Sequence, residues 1–262
     1  MTEAPPQFAV RLASDQSDLH AAQRLRYEVF VAELGGGGAM VDHANRREQD
    51  RFDPFFDHLL LLDQARPDGD QVVGVYRLLR ADQAVAAGQF YSEDEYDLAP
   101  LRASGRRLLE LGRSCLHPDY RGGMGMFHLW HALAGYVEAH GIEILFGVAS
   151  FHGTDPQALA APLSLLHHRH LAPADLRVMA RAPGATAMDL IAPDCLDRRA
   201  AMLAVPALIK AYLRLGGFVG QGAFIDRDFN TTDVCLILDV ARMNESQRAI
   251  YTRPVPARAV QP

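Results

Sequence analysis

An α+β fold, with a mixed central sheet flanked by helices, is what this 262-residue sequence predicts. Three observations carry the expectation. Two apolar runs, HLLLLD at 58–63 and QVVGVYRLLR at 71–80, flank the turn Arg66-Pro67-Asp68-Gly69-Asp70 and read as a strand pair. RLLELGRSCLHP at 107–118 passes through Tyr120-Arg121-Gly122-Gly123 into a helical pattern and then into IEILFGVASF at 142–151, a strand–helix–strand crossover unit. Further helical and strand-like segments follow it, with no internal repeat.

Taken in order, residues 1 to about 7 are Pro-rich, and 1–13 are expected to be a flexible start. Asp18, Ala21, Leu25, Val29 and Phe30 recur at helical spacing, with Ser17 or Asp18 as cap, and the pattern stops before Gly35-Gly36-Gly37-Gly38. Residues 39–55 are polar and acidic without periodicity and predict a long loop; 82–105 are mixed and also loop-like. The helix after the Gly pair should run from about 124 to 140, ended by Gly141, and the strand after it is apolar enough to be central. A Pro-punctuated segment (156–185), a helix near 197–215, a strand at 218–226 and a last strand, VCLILDV at 234–240, complete the chain before the Pro-rich tail 253–262.

Composition limits what this chain can do. Apolar residues make up 49% and charged residues 22%, which excludes a wholly disordered chain. A net charge of −6 speaks against non-specific nucleic-acid binding. No apolar run approaches the roughly 20 residues of a membrane span, and the start lacks a secretory pattern. Cys115, Cys195 and Cys235 share no CxxC spacing, so neither a disulfide framework nor a metal site is indicated; a cytoplasmic protein is expected.

Glu110 stands out as a lone acid in an apolar strand, where burial costs free energy unless the group is partnered or functional. A structural ion pair is one reading. The other is a general base, its pKa raised toward neutrality by burial. Alternation would put Glu110 and Arg113 on opposite faces, and a bulge at Gly112 would bring them together. The aspartates at 50, 53 and 57 follow a loop and suit a cationic group, or are caps and turns. Arg102, Arg106, Arg107, Arg113 and Arg121 fall close together in an acidic chain and offer either a docking face for an acidic partner or a solvated surface. The His170-x4-Asp175 spacing, the pair His128 and His131, and the cluster His167, His168 and His170 lack the companions that catalysis or metal binding would need. LAVPALIKAYLRL at 203–215 is a core-packing helix first and a membrane-surface contact second.

Several of these residues form a series: Arg26 and Phe30 in LRYEVF, Asp50 and Asp53 in EQDRFD, Arg77 in GVYRLLR, Phe90, then Glu110 and Arg113 in ELGRS. The series resembles the signature of acyl-homoserine-lactone autoinducer synthases, and the crossover unit resembles the centre of the Gcn5-related N-acetyltransferase fold. Those synthases carry a tryptophan six residues after the phenylalanine, where this chain has Gly36, and this chain is longer at its C-terminal end. ASFHGTDP (149–156), LSLLHHRHLAP (163–173) and residues 206–240 are instead similar to the L-ornithine N(α)-acyltransferases of ornithine lipid synthesis, over about residues 20–243.

That resemblance implies one acyltransferase domain over 14–252, with a core at about 14–152 and a family-specific part at 153–252. It implies transfer of a (3-hydroxy)acyl chain from acyl carrier protein to the α-amine of L-ornithine, giving lyso-ornithine lipid without a cofactor. Glu110 and Arg113 would be catalytic. Arg121, Gly122 and Gly123, with Arg106 and Arg107, would receive the carrier and its phosphopantetheine; RGGMGM has methionines where a coenzyme A loop would have glycines. Arg26, Phe30, Asp50, Asp53 and Arg77 would bind the acceptor, an arginine on its carboxylate and the aspartates on its δ-ammonium. A peripheral membrane contact would suit the lipid product. The alternative activity is that of an autoinducer synthase or another long-chain N-acyl amino acid synthase.

Overall fold

The structure, a computed structural model, describes residues 5–243. Strand β1 (Phe8–Leu12) precedes helix α1 (Gln16–Arg26), whose cap is Asp15 rather than Ser17 or Asp18; its carboxylate accepts from Asp18 N at 2.9 Å. A π-helix over Tyr27–Glu33 extends α1 toward the glycines. Strands β2 (Asp57–Asp63) and β3 (Val72–Arg80) form the expected hairpin. The segment expected to be loop-like holds α2 (Ala81–Ala87), a 3₁₀ turn at Tyr91–Asp94, β4 (Tyr96–Asp97) and α3 (Ala99–Ala103). The crossover unit is β5 (Leu108–Leu116), α4 (Gly125–Ala139) and β6 (Ile144–His152).

Beyond it the prediction needs three corrections. The Pro-punctuated stretch contains α5 (Ala160–His170), because Pro162 sits in the first turn, where a missing N–H costs nothing. After β7 (Met179–Ala180) and β8 (Ala185–Thr186), the expected helix at 197–215 is two, α6 (Arg198–Ala204) and α7 (Ala207–Arg214), parted at Pro206. The expected strand at 218–226 is also two, β9 (Phe218–Val219) and β10 (Ala223–Asp226), and β11 (Thr231–Asp239) closes the sheet. The start is corrected as well: residues 8–12 are not loose but pair with β2. The tail 253–262 lies outside the described residues.

The main sheet runs β1-β2-β3-β5-β6-β11-β10-β8, with β9 beside β11 and a separate β4-β7 pair. Only β5 and β6 are parallel within it, so the sheet is mixed, as predicted. The four leucines of β2 show how it is layered. Leu59 and Leu61 pack with Leu129, Trp130 and Leu133 of α4, while Leu60 and Leu62 pack with Ala22 and Leu25 of α1. Each contributes roughly 2 kcal/mol by leaving water. Among the described residues no helix is long and apolar enough to cross a membrane.

Two features of β5 position the site. Its pairing with β6 covers only Leu108–Glu110 against Ile144–Phe146, after which the two strands have no further pairing with each other. At Gly147 the backbones approach so closely that a Cβ there would lie 2.1 Å from Leu111 O. The second feature is a bulge. Tyr76 of β3 faces both Arg113 and Ser114, between the pairs Arg77–Gly112 and Val75–Cys115. It lies one residue later than expected, and Arg113 takes a left-handed φ of 49°.

Candidate active site

Beneath the site lies a buried network of three arginines and three acids. Arg26 Nε donates to Glu48, and its Nη1 to Asp53 Oδ1 at 2.6 Å. Arg77 Nη1 donates to Asp53 Oδ1 at 2.8 Å and to Asp50 Oδ2 at 2.7 Å. Gln23 Nε2 adds a bond to Asp53 Oδ2 at 2.9 Å. Arg113 Nε reaches Glu48 Oε1 at 3.2 Å, and its Nη2 lies 3.6 Å from Asp50. Arg26 and Arg77 are fully buried and Asp53 is 4% exposed. Arg26, Arg77 and Asp53, expected to bind the acceptor, are turned on one another, with Asp50 and Arg113 at the outer edge. Arg26 Nη2 and Arg77 Nη2 have no hydrogen-bond partner among the described residues.

The bulge turns Arg113 toward the face that carries Glu110, so the two expected catalytic residues do converge, on Tyr91. Arg113 stacks over the Tyr91 ring at 4.9 Å and the Phe229 ring at 4.6 Å, and its Nη1 donates to the Tyr91 hydroxyl at 3.2 Å. Glu110 holds the other end. It accepts from Tyr91 N at 2.7 Å and Ser92 N at 2.6 Å, and from the Ser92 hydroxyl. Both carboxylate oxygens thus serve the 91–94 turn, and Glu110 is absent from the lining of the cavity at Arg113. In this geometry Glu110 holds the turn that carries Tyr91.

The cavity itself is about 240 Å³. Phe30, Tyr91, Arg113, Asp226, Phe229 and Asp233 are among its walls. It adjoins a narrow waist of about 40 Å³ between the parting edges of β5 and β6, with Arg113, Ser114, Val148 and Leu208 common to both. The waist in turn shares Leu145, Tyr212 and Leu238 with an apolar cavity of about 250 Å³ between α4 and α7. A chamber with charged and aromatic side chains on its wall, a slot and an apolar pocket therefore lie in series.

Gly36 explains the missing tryptophan. A Cβ there would lie 2.9 Å from the Phe229 ring and 2.6 Å from Phe30 O. Gly37 N donates to Asp228 O at 2.6 Å, docking the β10–β11 turn against the glycines. The aromatic wall is supplied by Phe229 of the longer C-terminal part. Sequence reasoning missed this residue, Tyr91 and Glu48, as well as Glu95, Asp226 and Asp233. Asp233 bore the same signal as Glu110, an acid within an apolar strand.

The arginines expected to form a docking face are mostly occupied. Arg121 is bidentate to Glu33 at 2.6 Å, Arg102 pairs with Glu93, and Arg106 pairs with Asp239 at 2.8 and 2.6 Å. Arg107 is exposed and lies across Gly141. The charges of the expected local basic face are thus largely met within the chain. Gly122, at φ 74°, and Gly123 form an exposed turn before α4, whose N-terminus has no side-chain cap.

Burial pushes the Glu110 carboxyl up to about 7 from an ordinary 4.5. A raised acid keeps its proton in the folded chain after the unfolded chain has lost it. Its stabilising contribution is full below about pH 4.5 and is lost as pH rises to about 7. The loss is on the order of 3 kcal/mol at most. Glu110→Gln cannot ionise; its amide must face the N–H of Tyr91 or Ser92, which lowers stability at every pH, so the slope with pH is what is read. Thermal melts from pH 5 to 7 should fall less steeply in the variant; equal slopes would show that Glu110 does not titrate in this range.

Residues 25–131 match the Acetyltransferase (GNAT) domain family. The chain is 62% identical over 260 residues to the L-ornithine N(alpha)-acyltransferase of Rhodobacter capsulatus, covering 98% of this chain and 100% of that one. It is 44% identical over 246 residues to the enzyme of the same name from Brucella abortus, covering 92% and 88%. Among solved structures, FeeM, an N-acyl amino acid synthase from uncultured soil microbes, superposes with a TM-score of 0.52 at 13% identity over 93% of this chain and 99% of that one. The acyl-homoserine-lactone synthase LasI does so with 0.50 at 16% identity over 97% and 100%. These likenesses establish the acyltransferase fold.

Proposed function

The chain belongs to the L-ornithine N(α)-acyltransferases, and from that premise we propose that it moves a long acyl chain from the thioester of acyl carrier protein to the α-amine of L-ornithine, forming lyso-ornithine lipid. The observation that carries this reading is the series of chamber, slot and apolar pocket. An acyl thioester lying in the slot would send its chain toward α4 and α7 and present its carbonyl to the chamber that Arg113 lines. The amino acid would meet it there, its carboxylate on the outer edge of Arg113.

In the reaction the α-amine nitrogen attacks the thioester carbon, the C–S bond breaks, and the amine's proton leaves as the carrier thiol departs. Glu110 would act through Tyr91, holding the turn whose aromatic ring backs Arg113. The exposed Gly122-Gly123 turn and the uncapped start of α4 suit the single phosphate of a phosphopantetheine arm. Arg121 would shape that turn through Glu33 rather than meet the phosphate directly.

Purified protein supplied with ornithine and a 3-hydroxyacyl chain on carrier protein should yield N-acyl ornithine, with the α position assigned by fragment masses. The same chain on coenzyme A should react at least about 10-fold more slowly, a difference of about 1.4 kcal/mol. Equal rates from the two donors would remove the carrier from this reading. A δ-acylated product would remove the regiochemistry.

A further inference from the structure

Three carboxylates meet beside the chamber, two of them on its wall. Glu95 follows the turn that Glu110 holds, Asp226 ends β10, and Asp233 lies in β11. Their nearest oxygens all lie within 4.8 Å of one another, the one such group of metal-ligand type among the described residues. Glu95 is 5% exposed and Asp233 4%, and Glu95 Oε2 and Asp233 Oδ1 are buried without a hydrogen-bond partner among the described residues. Asp226 and Asp233 line the chamber that Arg113 also lines.

Charge balance sets this group apart from the network below it. Arg26, Arg77 and Arg113 are matched in charge by Glu48, Asp50 and Asp53. The second group has three acids, and the cation whose charge reaches Glu95 and Asp233 is Arg113, already paired with Glu48. Burial, with the neighbouring carboxylates adding to it, pushes Asp233 up to about 6 and Glu95 well above the carboxylate range. Such a cluster is relieved by a cation that brings its own hydrogen-bond donors.

We infer that Glu95, Asp226 and Asp233 form the specificity site for the side-chain ammonium of the amino-acid acceptor. An ammonium has three N–H donors, and three carboxylates converge to receive them. The site also accounts for regiochemistry. An amine held by three carboxylates keeps its proton and cannot attack, and the side-chain amine is the more basic of the two, near 10 against about 8 for the α-amine. The α-amine is left as the nucleophile. The inference rests on the reading of the chamber as an amino-acid site and replaces the aspartates at 50 and 53 as the expected δ-ammonium ligands.

The test compares kcat/KM for ornithine and for norvaline, which lacks the δ-amine, in the full chain and in Asp226→Asn and Asp233→Asn. Asp226 is half-exposed, and Asn retains the Oδ1 that accepts from Asp228 N and Phe229 N, so this variant keeps the turn even if Asp233→Asn does not fold. The unaltered protein should prefer ornithine by at least about 30-fold, and each folded variant should reduce that ratio at least about 10-fold. Equal use of norvaline and ornithine by the unaltered protein overturns the inference while leaving the acyltransferase reading in place. So does an unchanged ratio in the folded variants, or activity that EDTA removes and Mg²⁺ or Ca²⁺ restores, which would give the cluster to a metal. Failure to acylate either amino acid removes both.

Discussion

Replacing Arg113 with glycine is expected to lower kcat/KM for the acceptor by about 100-fold or more, with the fold retained. Glycine is the informative substitution because Arg113 has φ 49°, where a Cβ is strained and glycine is not. Activity lost in Arg113→Gly is then loss of the guanidinium, not of the bulge. Glu48 keeps Arg26 and Asp50 keeps Arg77 in the variant, so no acid of that network is left without a cation. Glu95 and Asp233 lose the nearby charge of Arg113 and are held further toward their protonated forms. What disappears is the group stacked between Tyr91 and Phe229 that faces both the chamber and the slot. Removing one side of a desolvated charge pair costs about 3 kcal/mol or more, which is a factor of at least about 100. Arg113→Lys should fall between the two, since it keeps the charge and loses the flat surface and the fork of donors. Activity of the glycine variant within about threefold of the unaltered chain would show that Arg113 has no part in the transfer.

The sheet was legible because its central strands are written as near-continuous apolar runs; β2, β3, β5, β6 and β11 are each recognisable without tertiary information. What escaped were elements whose stability comes from their neighbours. β1 is five residues behind a Pro-rich start, and becomes a strand because β2 offers an open edge. α5 carries a proline, but in its first turn, and its apolar face is covered by later segments. Single prolines and glycines also split what periodicity joined, as Pro206 does between α6 and α7.

The site shows a different limit. Arg26, Asp50, Asp53, Arg77, Glu110 and Arg113 were legible as a series, and the structure does gather them. Their partners were not legible. Glu48 lies in the aperiodic stretch 39–55 with nothing in the sequence to single it out, yet it links Arg26 to Arg113. Gly36 read as a departure from pattern, and becomes intelligible only once Phe229 is seen beside it. Spacing along the chain reports which residue types are present, whereas saturation of each charge depends on segments far apart in sequence. Glu95 and Asp233 illustrate this, since they meet only when β11 is laid against β6 and the 91–94 turn is held by Glu110.

That limit yields the second large effect. Asp53→Asn is expected to act on stability, lowering it by about 3 kcal/mol or more, because removing one partner of a buried ion pair strands the rest. Asp53 receives Arg26, Arg77 and Gln23 at once, and Arg26 Nη2 and Arg77 Nη2 already lack partners. An asparagine would leave three buried guanidinium groups facing two acids and turn an amide donor toward one of its neighbours. For a chain of this size the melting temperature should drop by roughly 6 °C or more. The pH dependence follows the same logic. Burial pushes the Asp53 carboxyl up, but Arg26 and Arg77 outweigh it and hold the group below its ordinary 3.8. Its contribution is therefore present above about pH 4 and is lost as acid is added, a loss the variant should no longer show on that limb. The preference for ornithine over norvaline should move much less than in Asp226→Asn. The reverse pattern, a melting temperature within about 2 °C of the unaltered chain and a collapsed preference, would mean that the three-arginine network opens in solution and that Asp53 itself receives the substrate.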